Sequence, residues 1–389
     1  MTGRVLLTDG QQRKTLAAMR SLGARGIDII AAEDTRWATS LFSRYCGQRL
    51  VSPNPGERPE EYFVWLYNTL VKYHCDVLFP MDDGSMEVTV RYRGQLEKIC
   101  RVPVPDVDVY AVAADKYRAT AAAVEAGLDC PRTVLPKGPD SLLKDVSGLT
   151  CPLVIKPRKS SGSRGIVVVR QLEELPALYG RVHREYPFPL VQEYISPGDK
   201  YDVCLLYNRE SRIRAFFVQR EVRCFPLERG PSVVQQSVWR PDLVEMAARL
   251  LQRLNWYGVA EVEFMVDPRD GRAKFMEVNP RFWGSLQAAI LAGVDFPWLL
   301  YRLALDGDVD EVTGYQTGIR CRWLLPGDML HFIFNKKRLT MDPSFFSTSK
   351  AGVHDDTISL EDPLPALGFL LAGLRCSLDL RMWKMIFFR

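Results

Sequence analysis

The sequence has little of the residue spacing that builds zinc sites or disulfide frameworks. Its nine cysteines include no Cys-x-x-Cys pair, and its four histidines are isolated from one another. Both kinds of site require close, regular spacing of these residues. We therefore expect no zinc site, and we expect the scattered thiols to be mostly buried and reduced, as in a cytoplasmic protein.

Long apolar runs are also missing. No segment approaches 18 consecutive apolar residues, and the N-terminal residues do not form the apolar core of a signal peptide. We therefore expect a cytoplasmic protein that is neither secreted nor membrane-spanning. The net charge is only +4 and the basic residues are dispersed, so no nucleic-acid partner is expected. With 389 residues, 47% of them hydrophobic, the chain is long enough for two or three globular domains.

Residues 4–110 alternate short apolar runs with helical patterns, which predicts a doubly wound α/β unit around a parallel sheet. The first turn, Thr8 to Gly10, lacks Gly-x-Gly-x-x-Gly, so dinucleotide binding is unsupported. Ligands of such sheets bind at the carboxyl ends of the strands, where Asp9, Glu33 and Asp82 lie. Asp82 is therefore a candidate substrate-binding residue, with helix capping as the alternative.

A hairpin near residue 270 carries acidic residues on one face. Residues 259–267 and 274–279 alternate at period two, and Asp270-Gly271 is a turn signal. A three-residue loop, Arg269 to Gly271, places Glu263 opposite Glu277 and Glu261 opposite Asn279, and groups Phe275 with Glu277. Carboxylates that face each other destabilise a sheet unless a cation separates them, and Mg²⁺ prefers such oxygen ligands. A merely solvated acidic hairpin is the alternative.

Two lysines and a small flexible loop predict an anion site upstream. Asp115 reads as a helix N-cap, so Lys116 lies in the first turn, where a cation opposes the helix dipole unless an anion is near. Lys156 ends a short apolar strand, and residues 158–165 form a basic Ser/Gly loop before the next strand. Backbone N–H groups of such a loop approach phosphates closely. A solvated lysine and an ordinary hairpin are the alternatives, since the Walker pattern is absent.

These motifs, in this order and together with residues 192–195, resemble the ATP-grasp superfamily. The likeness covers roughly residues 4–307 and is greatest to its carboxylate–amine ligase and carbamoyl phosphate synthase-like branch. It implies an α/β architecture in which a doubly wound pre-ATP-grasp domain precedes an ATP-grasp fold of two α+β subdomains that clamp ATP. The implied units are 1–112, the pre-ATP-grasp domain; 113–195, the small subdomain with a phosphate flap at Ser160–Gly165; 196–310, the large subdomain with the metal site; and 311–389, a C-terminal extension.

The resemblance also implies roles for particular residues. ATP and Mg²⁺ would be the cofactors, with Mn²⁺ as a substitute and one or two ions bound. The nucleotide would be held by Lys116, Lys156, Ser161, Gly162, Ser163, Arg164, Gln192, Glu193, Tyr194, Ile195 and Asp202. The metal ligands would be Glu263, Glu277 and Asn279, and the catalytic residues Arg281 and Lys156. Many relatives have an acidic ribose-binding residue where this chain has Lys200, so Asp199 or Asp202 would have to replace it.

The implied function is an ATP-dependent ligase that joins a small carboxylate to an amine through an acyl phosphate. An ATP-grasp kinase or bicarbonate-phosphorylating enzyme is the first alternative, and a non-catalytic nucleotide-binding protein is the second. Arg220 and Arg223 are candidates for gripping the carboxylate, because arginine binds carboxylates bidentately. The alternative, equally consistent with the sequence, is that both arginines form ion pairs on the surface.

The final stretch, residues 380–389, mixes basic residues with Trp383, Ile386, Phe387 and Phe388. Such a pattern is typical of a helix that lies on the inner face of a membrane. A helix packed on the rest of the chain, or on the partner in a homodimer, explains it equally well.

Overall fold

The computed structural model describes residues 3–227 and 230–377. Its first unit is a parallel sheet with the strand order β3-β2-β1-β4, as the sequence predicts. The strands are β1 (Arg4–Leu7), β2 (Asp28–Glu33), β3 (Gln48–Val51) and β4 (Val77–Phe79). The helices are α1 (Arg13–Gly23), α2 (Pro59–Tyr73), α3 (Asp83–Arg91), α4 (Arg93–Leu96) and α5 (Val107–Ala113).

Alternation along β1 explains why helices cover both faces of this sheet. Val5 and Leu7 belong to one apolar cluster with residues of α1, whereas Leu6 belongs to another with Leu66 of α2. Because both faces are buried, the strands read as continuous apolar runs. The carboxyl ends of β1 and β4 meet at one edge, where the backbone N–H of Asp82 donates to Asp9 Oδ2 at 2.9 Å.

The second unit is a small antiparallel sheet with the order β5-β8-β6-β7. Its strands are β5 (Thr133–Val134), β6 (Leu153–Lys156), β7 (Val167–Val169) and β8 (Leu190–Glu193). The helices of this part of the chain are α6 (Lys116–Glu125), α7 (Leu142–Asp145) and α8 (Leu175–Glu185). Asp115 caps α6 as predicted, because its carboxylate accepts from the backbone N–H groups of Tyr117 and Arg118.

The third unit is a seven-stranded sheet with the order β13-β12-β9-β10-β11-β14-β15. Its strands are β9 (Lys200–Tyr207), β10 (Ile213–Cys224), β11 (Ser232–Ser237), β12 (Gly258–Val266), β13 (Ala273–Asn279), β14 (Arg320–Arg322) and β15 (Val353–Asp355). The helices are α9 (Pro241–Arg253), α10 (Leu286–Leu291), α11 (Phe296–Asp306), α12 (Met329–Phe334) and α13 (Leu364–Ser377). Helix α9 packs on one face, and α10 and α11 pack on the other.

The segment after residue 310 is joined closely to the rest of the chain. Strands β14 and β15 extend the large sheet, and buried ion pairs link Asp356 to Arg13 and Asp362 to Arg20. The predicted domain boundaries, including the one between residues 310 and 311, remain a prediction. The interfacial pattern at 380–389 lies outside the described residues, and within the described ranges no helix is long and apolar enough to cross a membrane.

Candidate functional site

The hairpin of β12 and β13 has the predicted register at its functional end. Glu263 pairs with Glu277 and Glu261 with Asn279. The loop, however, has four residues, 268–271, because Asp267 N bonds to Arg272 O at 2.9 Å. The ladder shifts by one residue between Glu263 and Phe264, which leaves Met276 as a bulge and restores the register.

The predicted position of Phe275 was wrong, because the bulge at Met276 places this residue on the opposite face of the hairpin. This ring was expected on the face of Glu277, but it lies opposite Phe264 and is fully buried with it in the core beneath α9. The face with Glu261, Glu263, Glu277 and Asn279 is therefore polar, and the other face is apolar.

Burial and mutual repulsion oppose ionisation of the carboxyl groups of Glu263 and Glu261 on this polar face. Burial raises the pKa of Glu263 well above its usual value, and the neighbouring Glu277 and Glu261 raise it further. Burial also raises the pKa of Glu261, to about 7. The amide of Asn279 donates to Glu261 Oε2 at 2.9 Å and to Glu263 Oε1 at 2.7 Å. The face thus offers carboxylate oxygens whose negative charge a cation would balance, whereas the Asn279 amide oxygen accepts from Arg281 Nη2 at 3.3 Å.

These oxygens fit Mg²⁺ only if other ligands complete its shell. Among the described residues, no three acidic, histidine or cysteine side chains come together as a metal cage. Magnesium is commonly held by one or two carboxylates, with water and substrate phosphates as its other ligands. The donor set of Glu263, Glu277 and Asn279 matches that habit.

The predicted lysines come to the same place from the small sheet and from α6. The Lys116 ammonium lies 2.7 Å from Glu277 Oε2 and donates to Ser160 O at 2.6 Å. Although burial opposes ionisation of Glu277, the charges of Lys116 and Lys156 hold its pKa below the usual value. Burial lowers the pKa of Lys156 to about 8, and the positive charges of Lys116 and Lys200 act in the same direction.

The loop between β6 and β7 lies against both the lysines and the first unit. Gly162, Ser163 and Gly165 have left-handed backbone angles, with φ of 61°, 61° and 72°. At Gly165 a Cβ atom would lie 2.7 Å from Pro157 Cγ, so only glycine fits. Lys159 at the start of the loop pairs with Glu87 of α3 at 3.1 Å. Arg164 folds back onto Ser161.

Between the two antiparallel sheets lies a cavity of about 490 Å³. Val154, Ile166, Val168 and Met265 make part of its wall apolar. Predicted site residues on the wall are Lys156, Ser163, Gln192, Glu193, Tyr194, Ile195, Asp202, Arg223, Glu263 and Glu277. Lys116 reaches this wall through Glu277, and Asn279 reaches it through Glu263. The cavity wall thus combines charged groups, apolar side chains and residues of β8.

Two further residues on this wall, Lys200 and Glu221, were not predicted as site residues. They form an ion pair, with Lys200 Nζ 3.5 Å from Glu221 Oε2. The contact exists because β9 and β10 are neighbours, a fact that spacing in the sequence does not reveal. The sequence did contain one signal for this pair, because Lys200 stands where many relatives have an acidic residue.

Arg281 and Asp82 lie at the boundary with the first unit. The Arg281 guanidinium is buried and donates to Asp83 through Nε at 2.6 Å and through Nη2 at 3.3 Å. Asp82 is the N-cap residue of α3, and its carboxylate accepts from Lys14 Nζ at 2.7 Å and from Gln12 Nε2 at 3.2 Å. Both predicted residues therefore already have charged partners, and the pair of Arg281 with Asp83 ties the hairpin to the first unit.

The two arginines proposed for substrate do not point freely into the cavity. Arg220 lies opposite Tyr201 in the ladder, on the other face of the sheet from Lys200 and Glu221. Arg223 lines the cavity but is buried against Asp328, with Nε–Oδ1 and Nη2–Oδ2 distances of 3.0 Å. Arg223 thus anchors the segment before α12 to the end of β10.

We expect Asp328→Ala to lower the free energy of unfolding by about 3 kcal/mol, because it leaves the buried Arg223 charge unpaired. Thermal or urea unfolding measures this loss. Asp342→Ala removes the partner of Arg320 in an exposed pair and should cost under about 1 kcal/mol. Adding Arg223→Met to Asp328→Ala should restore part of the stability. If Asp328→Ala cost no more than Asp342→Ala, the pair would not be a structural tie.

The metal-free protein should lose stability as pH rises from 4.5 to about 7, because the folded state holds a proton on Glu261 that the unfolded state releases at lower pH. The contribution is present below pH 4.5 and is lost as pH passes about 7. It amounts to at most about 3 kcal/mol. Urea unfolding across this range should show a smaller decline for Glu261→Gln, whereas Glu245→Gln, on the exposed side of α9, should keep the original slope. Equal slopes for both variants would contradict the raised pKa.

Known proteins are similar to this chain in part of its sequence and in its fold. A family model described as ATP-grasp in the biosynthetic pathway with Ter operon matches residues 190–325. Acetyl-CoA carboxylase 1 of Oryza sativa subsp. japonica is 30% identical over 137 residues, which are 33% of this chain and 6% of that protein. The chain thus spans far less than two thirds of the length of the curated relatives that it matches.

Two solved structures extend the likeness to most of the fold. The biotin carboxylase domain of Hydrogenobacter thermophilus 2-oxoglutarate carboxylase, solved with MgADP, ADP and bicarbonate, has a TM-score of 0.70 at 17% identity, over 82% of this chain and 74% of that one. An L-amino acid ligase from Bacillus licheniformis has a TM-score of 0.60 at 17% identity, over 78% and 74%. At such identities the likeness establishes a shared fold.

Proposed function

We propose that this chain, which belongs to the ATP-grasp superfamily, is an ATP-dependent ligase that activates a carboxylate as an acyl phosphate and couples it to an amine. One observation carries the proposal. Lys116, Lys156, Glu263 and Glu277 come from three separate parts of the chain and meet at a single cavity, which the last three line and which Lys116 reaches through Glu277. Buried lysines beside paired carboxylates are the groups that binding of a metal-bound polyphosphate requires.

The cavity suits a nucleotide in size and lining. Its volume of about 490 Å³ lies within the range of ligand pockets, about 300–1000 Å³. Apolar residues of β6 and β7 would cover the adenine, and residues 192–195 would run along its edge. Lys116 and Lys156 would bind the phosphates, with the Ser160–Gly165 flap over them. Flap closure would exclude the water that hydrolyses an acyl phosphate.

Glu263, Glu277 and Asn279 would hold Mg²⁺. When bound, the ion neutralises charge that develops on the transferred phosphoryl group. The Lys116 ammonium, which lies 2.7 Å from Glu277, would then contribute its N–H donors to the phosphates as well. A second ion, or Mn²⁺ in place of Mg²⁺, would use the same carboxylates.

The proposed reaction has two steps. A carboxylate oxygen attacks the γ-phosphorus of ATP, the bond from that phosphorus to the β–γ bridging oxygen breaks, and ADP leaves. The amine nitrogen then attacks the acyl carbon, phosphate leaves, and the amine loses a proton. Arg281 would hold the hairpin against the first unit through Asp83 while the substrates meet at this boundary.

A second candidate is phosphorylation of bicarbonate, which the sequence match to acetyl-CoA carboxylase 1 favours. Both candidates begin with transfer of the γ-phosphoryl group to a carboxylate-type oxygen. They differ in whether an organic acid or bicarbonate stimulates ADP release.

A hydroxylamine trap distinguishes these functions. The full chain, ATP and Mg²⁺ are incubated with a panel of carboxylic acids and hydroxylamine, and hydroxamate and ADP are measured. The ligase should give hydroxamate with at least one acid, and Lys156→Met should abolish it. ADP release that requires bicarbonate and yields no hydroxamate would favour the second candidate. A broad panel that yields neither would contradict both.

A further inference from the structure

Lys200 and Glu221 form a charged pair that the proposed function does not use. Lys200 begins β9 and lies opposite Glu221 of β10, because the next pair in the ladder is Tyr201 with Arg220. Their side chains are 27% and 11% exposed, and both line the cavity. The Lys200 side chain is thus partly exposed where it borders the cavity, so a ligand there can contact it.

The sheet places the Lys200 side chain on the face that carries the hairpin carboxylates. In the ladder between β9 and β12, Lys200 pairs with Met265, and the next residue on the same face of β12 is Glu263. The positive charge of Lys200 helps to lower the pKa of Glu277 and, after burial, that of Lys156. Lys200 therefore belongs to the group of charges that the two predicted lysines and the hairpin carboxylates form.

The chemistry of an ammonium at this position favours an anion over a sugar. Lysine has three N–H donors and no acceptor, so it adds a charge that neutral ribose hydroxyls do not balance. Asp202, two residues along β9, is only 5% exposed, and its carboxylate already accepts from Gln219 Nε2 at 2.8 Å. Neither Lys200 nor Asp202 therefore supplies a free carboxylate to a ribose, and Asp199, the other predicted ribose residue, lines the cavity with its carboxylate 4.0 Å from Arg220 Nη1.

We propose that Lys200, positioned by Glu221, binds the terminal phosphates of the nucleotide as a third lysine beside Lys116 and Lys156. At this position the cavity then distinguishes nucleotides by their number of phosphates and not by their ribose hydroxyls. The inference rests on the proposed function, since it requires a nucleotide in the cavity. Glu221 also lines the cavity, but its carboxylate does not attract phosphate, so its role is to position Lys200.

The inference is tested by measuring the dissociation constants of ATP, ADP, AMP and 2′-deoxyATP. Calorimetry in the presence of Mg²⁺ is carried out on the full chain and on its variants Lys200→Met, Lys200→Arg and Glu221→Gln. Lys200→Met should weaken ATP about tenfold to hundredfold, the worth of a hydrogen bond to a charged group. It should weaken ADP less and AMP little. ATP and 2′-deoxyATP should lose affinity by the same factor. Lys200→Arg should recover most of the ATP affinity.

Glu221→Gln should weaken the three nucleotides in the same order, ATP most and AMP least, but by smaller factors. Glu221→Asp should restore the affinity, because a positioning residue acts through the lysine that it holds. Lys98→Met, on the exposed surface of the first unit, should change none of the constants. Equal losses for ATP, ADP and AMP, or a loss confined to discrimination of the 2′-hydroxyl, would overturn the assignment of Lys200. Absence of nucleotide binding by the unmodified chain would instead overturn the proposed function itself.

Discussion

Replacement of Glu277 by glutamine is expected to lower ATP-dependent turnover about 1000-fold, which corresponds to about 4 kcal/mol of lost transition-state stabilisation. Glu277 lies between the Lys116 ammonium at 2.7 Å and Glu263 across the ladder. Its carboxylate therefore serves both the lysine and the proposed metal ion. Glutamine keeps the shape of the side chain but removes the charge that both contacts need.

Initial rates of ADP release at saturating ATP and Mg²⁺ measure this effect. Glu245→Gln, which makes the same change on the exposed side of α9, should retain full activity. Thermal unfolding of the metal-free Glu277→Gln protein should still be cooperative, which separates loss of chemistry from loss of fold. Activity within about tenfold of the unmodified chain would mean that Glu277 is not a metal ligand.

The second large effect is expected at Lys156. Because the pKa of Lys156 is lowered to about 8, its ammonium loses its proton as pH rises through that value. Apparent affinity for ATP should then fall about tenfold for each pH unit above it. Lys156→Met should bind ATP about 100-fold more weakly already at neutral pH, because a charge-assisted hydrogen bond is lost.

Titration of ATP from about pH 6 to about pH 10 separates this cause from general alkaline damage. Lys156→Arg carries a charge that persists over this range, so its affinity should be lower at neutral pH but should lack the break near pH 8. If Lys156→Arg showed the same break as the unmodified chain, another group would be responsible for it.

Local patterns in the sequence predicted those parts of the site that depend on neighbouring residues. The ATP-grasp resemblance is confirmed by the family match and by the shared fold. Period-two alternation gave the pairing of Glu263 with Glu277, and the Asp115 cap placed Lys116 at the start of α6. The predicted loop length was wrong, yet the register held because the bulge at Met276 compensates for one extra loop residue.

The missing parts depend on which distant strands and helices become neighbours. Glu221 reaches Lys200 only because β10 lies beside β9, and Arg281 meets Asp83 from a position 198 residues away. A strand pattern shows that Arg220 and Glu221 lie on opposite faces but not which face borders the cavity. The pairing of Arg223 with the buried Asp328 likewise follows from the packing of the segment after residue 310.

Isotope transfer tests the central claim most directly. The full chain is incubated with ATP, Mg²⁺, an amine and the carboxylate found by hydroxylamine trapping, labelled with ¹⁸O in its carboxyl oxygens, and the released phosphate is analysed by mass spectrometry. Activation through an acyl phosphate predicts one ¹⁸O atom from the carboxylate in each phosphate released. Unlabelled phosphate, formed while ATP is consumed, would show that the γ-phosphoryl group never reaches the carboxylate and would contradict the account.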